Sequence, residues 1–154
     1  FRFGPDFAEC ETHTALEGRV TQRMETKGRL QAFQNHAIVC DAWHMQLFDR
    51  HKGPGLQTID EMLLSSPDHR GATGPLLFRI GFGVEYVGEE SITVKAGKFD
   101  ALHFRFVSSP GLPQAHPAYD IWCTADGDYI FLKGVIGGYM LTEYELVRLE
   151  YEKA

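Results

Sequence analysis

The sequence predicts an all-β fold with one short helix, arranged as an antiparallel barrel or a strongly curled half-barrel. Apolar and polar residues alternate through much of the C-terminal half, as they do in strands with one covered face. The 16 glycines and 12% aromatic residues are typical of short strands joined by tight turns. Because the β segments of this half follow one another through short turns, we expect an antiparallel meander.

Composition favours one packed domain over residues 1–154. The chain has 154 residues, 44% of them hydrophobic, which is enough for a sizeable core. Its net charge of −6 argues against nucleic-acid binding, which would need a basic surface. Because no apolar run approaches the length of about 18 residues that a spanning helix requires, no membrane span is expected.

Three cysteines, Cys10, Cys40 and Cys123, bear on the compartment. Their number is odd and their spacing fits no zinc motif, so the sequence predicts reduced thiols. Reduced thiols favour a cytoplasmic location. A periplasmic location is the alternative if a signal peptide has been removed.

The first strong strand pattern covers residues 76–87. Its larger apolar residues share one face, and the other face contains Arg79, Gly81, Gly83 and Glu85. The glycines indicate strong bending, as a curling sheet requires. The apolar face is formed by Phe78, Ile80, Phe82, Val84 and Tyr86.

Two hairpins and a last strand are predicted next. Residues 91–107 form a hairpin around a turn at residues 96–98, with Leu102, Phe104 and Phe106 on one face of its second strand. Residues 119–136 form another hairpin around the turn sequence at residues 125–128. The last strand follows the glycine pair at residues 137–138. A curled sheet of seven to nine strands is expected.

The first half of the chain is less regular. Residues 18–33 are polar and weakly alternating, which predicts an edge strand or a solvent-facing hairpin. Thr58 and Glu61 have the spacing of a capping box, which predicts the short helix. A loop rich in glycine and proline at residues 65–75 contains His69 and Arg70, and we expect it to form a rim or lid.

Three segments in the C-terminal half, ITVKAGKFDALHFRF, YDIWCTADGDYIFLK and YELVRLE, resemble bacterial lipocalin-like barrels of unassigned function. The resemblance covers roughly residues 84–149. It implies an antiparallel barrel or half-barrel, in a family of which many members are exported, and it brings no catalytic residue with it. The matching residues are Val94, Ala96, Gly97, Phe99, Asp100 and Trp122.

The segment HAIVCDAWHMQLFD, residues 36–49, is predicted to be a strand covered on both sides. In that arrangement Asp41 and Trp43 share one face, and His36 and His44 share the other. A covered carboxylate must find a hydrogen-bond donor or raise its pKa, and either outcome suits a general base or a ligand anchor. The alternative is a structural role for Asp41, capping a turn or pairing with an arginine.

Two further groups of polar residues are candidates for a site. His103 and Arg105 lie on one face of a predicted strand, where Arg105 could hold an anionic group. His116, Tyr119 and Asp120 lie where a loop enters a strand, a position where barrels present functional groups. The alternatives are a solvated outer face for the first group and a stabilised turn for the second.

These patterns support three hypotheses on function. In the first, the chain binds a small hydrophobic or aromatic molecule in an aromatic-lined cavity, with Trp43 and Tyr119 as stacking walls and Asp41 and Arg105 orienting its polar end. The second is a cofactor-free lyase, isomerase or hydratase that uses Asp41 or His44 as acid/base and Tyr119 or Arg105 for the oxyanion. The third is a filled-core interaction module, with a homodimer as one option.

The candidate residues fall into two sets. The seven histidines show no metal-ligand spacing, so no metal is expected; a composite site with ligands from several strands is the alternative. No cofactor is expected. The catalytic candidates are Asp41, His44 and Tyr119. The ligand-binding candidates are Trp43, His103, Arg105, His116, Asp120 and Trp122.

Overall fold

The residues that the structure describes form two β-sheets and one short α-helix. The computed structural model describes residues 1–34, 37–65, 77–108 and 116–152. Most of the chain is β structure, as the sequence predicts. The elements are β1 (Arg2–Phe3), β2 (Phe7–Thr14), β3 (Gly18–Glu25), β4 (Ala32–Gln34), α1 (Ile38–His44), β5 (Gly55–Leu64), β6 (Phe78–Val94), β7 (Gly97–Ser108), β8 (Tyr119–Thr124), β9 (Phe131–Ile136) and β10 (Thr142–Glu145).

The larger sheet has seven strands in the order β10-β9-β8-β7-β6-β5-β4 and is strongly curled. From β5 to β10 each strand pairs antiparallel with the next, so the predicted meander is confirmed. β4 departs from the prediction because it pairs parallel to β5. Among the described strands β4 and β10 are the two edges of this sheet, which is therefore a half-barrel.

The smaller sheet, β1-β2-β3, packs against the larger one. β3 pairs with β2 along its whole length, and its residues alternate between half-buried and exposed, as expected for a solvent-facing hairpin. The Gln22 side chain joins the sheets: its amide donates to the Leu77 carbonyl at 3.0 Å, and its oxygen accepts from the Leu77 N–H at 2.8 Å. Ala8, Cys10, Leu63 and Leu77 form a small core at this junction.

The main core lies on the inner face of the half-barrel. The predicted apolar faces of β6 and β7 both point into it. The rings of Phe82 and Phe106 meet edge to face at 5.0 Å, and those of Phe48 and Phe104 at 5.5 Å. Rings at these distances leave little space between them, so these aromatic side chains fill part of the inner face.

The short helix predicted from Thr58 and Glu61 is wrong, because both residues lie in β5. The strand contains a bulge between Ile59 and Met62, and Glu61 within it has φ of +57°. Pairing with β6 and burial of the strand outweigh the local capping pattern, as tertiary context often does.

The strand predicted over residues 36–49 is also wrong, because this segment contains α1 and a turn of 3-10 helix, Met45–Leu47. Ala42 and Met45 are fully buried, whereas Val39 and Trp43 are 51% and 65% exposed. This spacing follows the helical period of 3.6 residues rather than the strand period of two. Asp41 and Trp43 therefore do not share a face.

The helix α1 lies close against β9. A Cβ atom built on Gly134 would lie 2.6 Å from Cδ1 of Ile38, so the absence of a side chain at position 134 makes this close approach feasible. None of the helices in the described part of the chain is long and apolar enough to cross a membrane. All three cysteines are thiols. His36, His69, Arg70 and all of the predicted 65–75 loop except Ser65 lie outside the described residues.

Candidate functional site

The structure separates most candidate residues into two clusters on opposite faces of β8. Tyr119 and Asp120 are neighbours in this strand, so their side chains point to opposite sides of the sheet. Tyr119 belongs to an inner cluster with Gln34, Asp41 and His44. Asp120 belongs to an outer cluster, whose other members are Glu90, His103, Arg105 and Trp122.

Asp41 is the centre of the inner cluster. The Tyr119 hydroxyl donates to its Oδ2 at 2.8 Å. The Gln34 amide Nε2 donates to its Oδ1. Nδ1 of His44 lies 3.9 Å from the same Oδ1, too far for a hydrogen bond but close enough for electrostatic interaction. The structure therefore brings together all three catalytic candidates.

Local structure explains how these side chains converge. Asp41 and His44 are three residues apart in α1, which places them on one side of the helix. The Tyr119 ring packs parallel to Phe106 with 4.5 Å between centroids, and the His116 ring meets its edge at 5.2 Å. This packing directs the Tyr119 hydroxyl, rather than the ring face, toward Asp41.

Burial controls the protonation of Asp41 and Tyr119. The Asp41 side chain is only 3% exposed, and burial raises its pKa above the ordinary value. The polar contacts with His44, Tyr119 and Gln34 act in the opposite direction, because they stabilise the carboxylate. Burial raises the pKa of Tyr119 well above its usual range, and the nearby Asp41 charge raises it further. Tyr119 is therefore a hydrogen-bond donor at neutral pH.

Two buried atoms of the inner cluster, Oε1 of Gln34 and Nδ1 of His44, have no hydrogen-bond partner. Gln34 is itself 4% exposed. In the described part of the chain, no lysine or arginine forms an ion pair with Asp41. A buried carboxylate without a cationic partner beside two unsatisfied polar atoms is uncommon in folded proteins, and such groups often mark functional positions.

Sequence analysis missed Gln34. It is the last residue of the short strand β4 and directly follows residues 18–33, for which the sequence predicts only a polar edge strand or hairpin. Its role depends on the parallel pairing of β4 with β5, which positions Gln34 beside Asp41, seven residues later in the sequence. No local pattern in the sequence indicates that pairing.

The outer cluster joins three strands on the other side of the sheet. The His103 ring stacks on Trp122 with 4.2 Å between centroids. Its Nε2 lies 2.8 Å from Oδ1 of Asp120, and its Nδ1 lies 3.2 Å from Oε1 of Glu90. Nε of Arg105 donates to Asp120 at 2.9 Å, and the Trp122 indole N–H donates to Glu90 at 2.7 Å. The predicted proximity of His103 and Arg105 is confirmed.

The two clusters cannot act together on one small group. Arg105 bonds to Asp120 on the outer face, whereas Asp41 bonds to Tyr119 on the inner face. The expectation that Asp41 and Arg105 orient the same end of a ligand is therefore wrong. Trp43 belongs to neither cluster: it projects from α1 into solvent, so it does not form a wall opposite Tyr119.

The described residues contain no group of three or more His, Cys, Asp or Glu side chains arranged to hold a metal ion.

Comparison of the chain with protein-family models found no match, and comparisons with curated proteins and with solved structures found none either. The inner cluster is thus the candidate site on the strength of its own geometry.

Proposed function

We propose that the protein binds a small molecule through a polar head group held by the inner cluster. The observation that carries this proposal is the pair of unpartnered buried atoms, Gln34 Oε1 and His44 Nδ1, beside the buried carboxylate of Asp41. Leaving a buried polar group unsatisfied costs about 1–3 kcal/mol. A head group that bonds to both atoms would recover that free energy on binding.

The direction of approach follows from exposure within the cluster. The His44 side chain is 13% exposed, whereas that of Asp41 is 3% exposed. A head group would therefore enter beside the imidazole and displace it slightly to reach Asp41. Side-chain rearrangements of this kind are common when ligands bind.

The fold is consistent with a protein that binds a small molecule. A curled sheet with a covered inner face is the architecture expected from the resemblance to lipocalin-like barrels, and a hydrophobic or aromatic ligand remains our proposal on that basis. The aromatic contacts of Phe48, Phe82, Phe104 and Phe106 occupy part of the inner face. We therefore propose that the ligand binds at the α1 end, beside Asp41 and Tyr119.

A second function, proton transfer to or from a bound substrate, is favoured by a separate observation. The His44 imidazole and the Asp41 carboxylate lie 3.9 Å apart, and the Tyr119 hydroxyl is a donor in the same cluster. A carboxylate of raised pKa next to an imidazole is suited to acid/base chemistry, with the tyrosine stabilising a developing negative charge. A lyase, isomerase or hydratase without a cofactor would need only these groups.

Native mass spectrometry of the freshly purified protein tests the binding proposal. The wild-type protein is expected to carry a small molecule of defined mass, and Asp41→Asn is expected to lose it. Asp120→Asn is the matched control. It also removes one carboxylate, but from the residue next to Tyr119, whose side chain lies on the opposite face of β8 from the inner cluster. Retention of the molecule by Asp41→Asn, or its loss from both variants alike, would contradict the assignment to the inner cluster.

Catalysis is distinguished from binding by releasing the retained molecule from the protein and testing it as a substrate. Incubated with the wild-type protein, a substrate is expected to change in its proton NMR spectrum, or to exchange a carbon-bound proton with D₂O. His44→Gln keeps an acceptor for the head group in its amide oxygen but has no group that takes up a proton near neutral pH, so it is expected to abolish this exchange while the molecule still binds. If the molecule is bound but stays unchanged in both proteins, the protein is a binder and not an enzyme for it.

A further inference from the structure

We propose that the head group bound by the inner cluster is a protonated primary amine. This inference rests on the proposed binding function and specifies the chemical class of the ligand. It follows from the number of acceptor atoms around Asp41 and from the absence of a lysine or arginine among the described partners of that carboxylate.

The acceptors match an ammonium group in number. Oδ1 of Asp41 and Oε1 of Gln34 are both acceptors, and Nδ1 of His44 is an acceptor in the neutral imidazole whose proton is on Nε2. A primary ammonium group has three N–H donors and no acceptor. It would therefore satisfy both unpartnered atoms, Gln34 Oε1 and His44 Nδ1, and add a charge-assisted bond to Asp41.

The three acceptors are also close to one another. The Gln34 amide is bonded to Oδ1 of Asp41 through Nε2, so its Oε1, on the same amide carbon, lies near that carboxylate oxygen. Nδ1 of His44 is 3.9 Å from the same Oδ1. A single small group inserted beside Oδ1 would thus reach all three atoms.

Charge favours a cation over a neutral head group. The partners of Asp41 in the described residues are an amide, a phenol and an imidazole, and none is a lysine or arginine. Buried carboxylates are usually paired with a cation, because an uncompensated buried charge is costly. An alcohol would bring one donor and no charge, and a quaternary ammonium would bring charge but no donor.

Isothermal titration calorimetry with three probes of equal tail length tests the inference. The probes are n-hexylammonium, hexan-1-ol and hexyltrimethylammonium, each titrated at neutral pH and moderate salt into wild-type protein. Hexylammonium is expected to bind at least about tenfold more tightly than the other two, because each lost charge-assisted bond costs on the order of tenfold or more. Asp41→Asn is expected to weaken hexylammonium at least about tenfold, and the control Asp120→Asn to change its Kd less than about twofold.

Each outcome bears on the inference or on the function beneath it. Equal binding of hexyltrimethylammonium would show only general attraction of cations to an acidic protein and would overturn the amine assignment. If hexan-1-ol, or a neutral molecule retained on purification, binds in an Asp41-dependent way and hexylammonium does not, the binding function stands and the amine assignment fails. If no probe binds and no molecule is retained, both fail. Should Asp41→Asn not fold, Gln34→Met removes one acceptor without changing charge and is expected to weaken hexylammonium selectively.

Discussion

The hydroxyl of Tyr119 donates a hydrogen bond to Oδ2 of Asp41 at 2.8 Å, which joins β8 to α1 across 78 positions of the sequence. On the other side of the same strand, Asp120 accepts from His103 and Arg105 of β7. β8 therefore contributes to both polar clusters. Its first two residues, Tyr119 and Asp120, lie on opposite faces, so a substitution at either one changes one cluster only.

Replacing Tyr119 with phenylalanine tests the link between β8 and α1. The ring keeps its parallel packing on Phe106, but Asp41 loses a hydrogen bond to a buried, charged acceptor. We expect the unfolding free energy at neutral pH to fall by about 2 kcal/mol, since hydrogen bonds to charged groups contribute about 1.5–3 kcal/mol. Urea denaturation followed by far-UV circular dichroism measures this change.

A double-mutant cycle with Asp41→Asn identifies the partner. Because Asp41→Asn replaces the charged acceptor of the Tyr119 hydrogen bond with a neutral one, the effects of Tyr119→Phe and Asp41→Asn should be non-additive by about 1 kcal/mol. Asp120→Asn combined with Tyr119→Phe is the control, since Asp120 lies on the opposite face. Additive effects in the first pair would mean that the hydroxyl does not contact Asp41 in solution.

The Asp41 carboxyl group predicts a specific dependence of stability on pH. Its pKa is raised in the folded chain, so above the ordinary value of 3.8 the folded state holds this proton when the unfolded chain has lost it. The contribution of Asp41 to stability is therefore greatest in acid, and it decreases as the pH rises through the folded-state pKa. Each unit of pKa difference corresponds to about 1.4 kcal/mol.

The variant Asp41→Asn isolates this effect, because asparagine does not titrate. Its amide can still accept from Tyr119, and a flipped Gln34 amide would place the unpartnered Oε1 against the new NH₂ group. We expect the stability of wild type relative to Asp41→Asn to decrease as the pH rises above about 4 and then to level off. Urea unfolding of both proteins across this range measures it. A pH-independent difference would show that Asp41 has an ordinary pKa.

Sequence alone predicts the strands of the C-terminal half because pairing there is local. β6 and β7 form one hairpin and β8 and β9 another, so alternation and turn residues are sufficient evidence of their faces. Where the structure depends on distant contacts, the predictions fail. The helical pattern of Thr58 and Glu61 is overruled by pairing of β5 with β6 along its length.

The candidate site shows the same division. The sequence points to Asp41 because its carboxylate lies in an apolar segment, and to Tyr119 because it lies where a loop enters a strand. Their contact with each other, and the contribution of Gln34, arise from the docking of α1 and the parallel pairing of β4. For α1 the sequence predicts the strand period of two residues instead of the helical period of 3.6, because a short apolar run of strand length does not distinguish a buried strand from a buried helix. The spacing of Ala42 and Met45 was the available helical signal.

The two tryptophans should differ in solvent access. Trp43 is 65% exposed on α1, whereas Trp122 stacks on His103 and donates its indole N–H to Glu90. We expect acrylamide to quench mainly Trp43. Trp43→Phe should therefore remove the accessible emission component and shift the remaining spectrum to shorter wavelength, with a stability change within about 0.5 kcal/mol. Efficient quenching that persists in Trp43→Phe would contradict this placement of Trp122.

The contact between α1 and β9 provides the last prediction. A Cβ on Gly134 would lie 2.6 Å from Cδ1 of Ile38, closer than side-chain atoms normally approach, so Gly134→Ala should displace the start of α1. Overpacking of this kind typically costs about 1–3 kcal/mol. Ile38→Val removes the clashing methyl group, and the double variant should recover part of the loss. Because α1 also positions Asp41, Gly134→Ala should weaken the Tyr119 hydrogen bond, and the Tyr119→Phe substitution should then cost less in this background. An unchanged cost would mean that the start of the helix adjusts without moving Asp41.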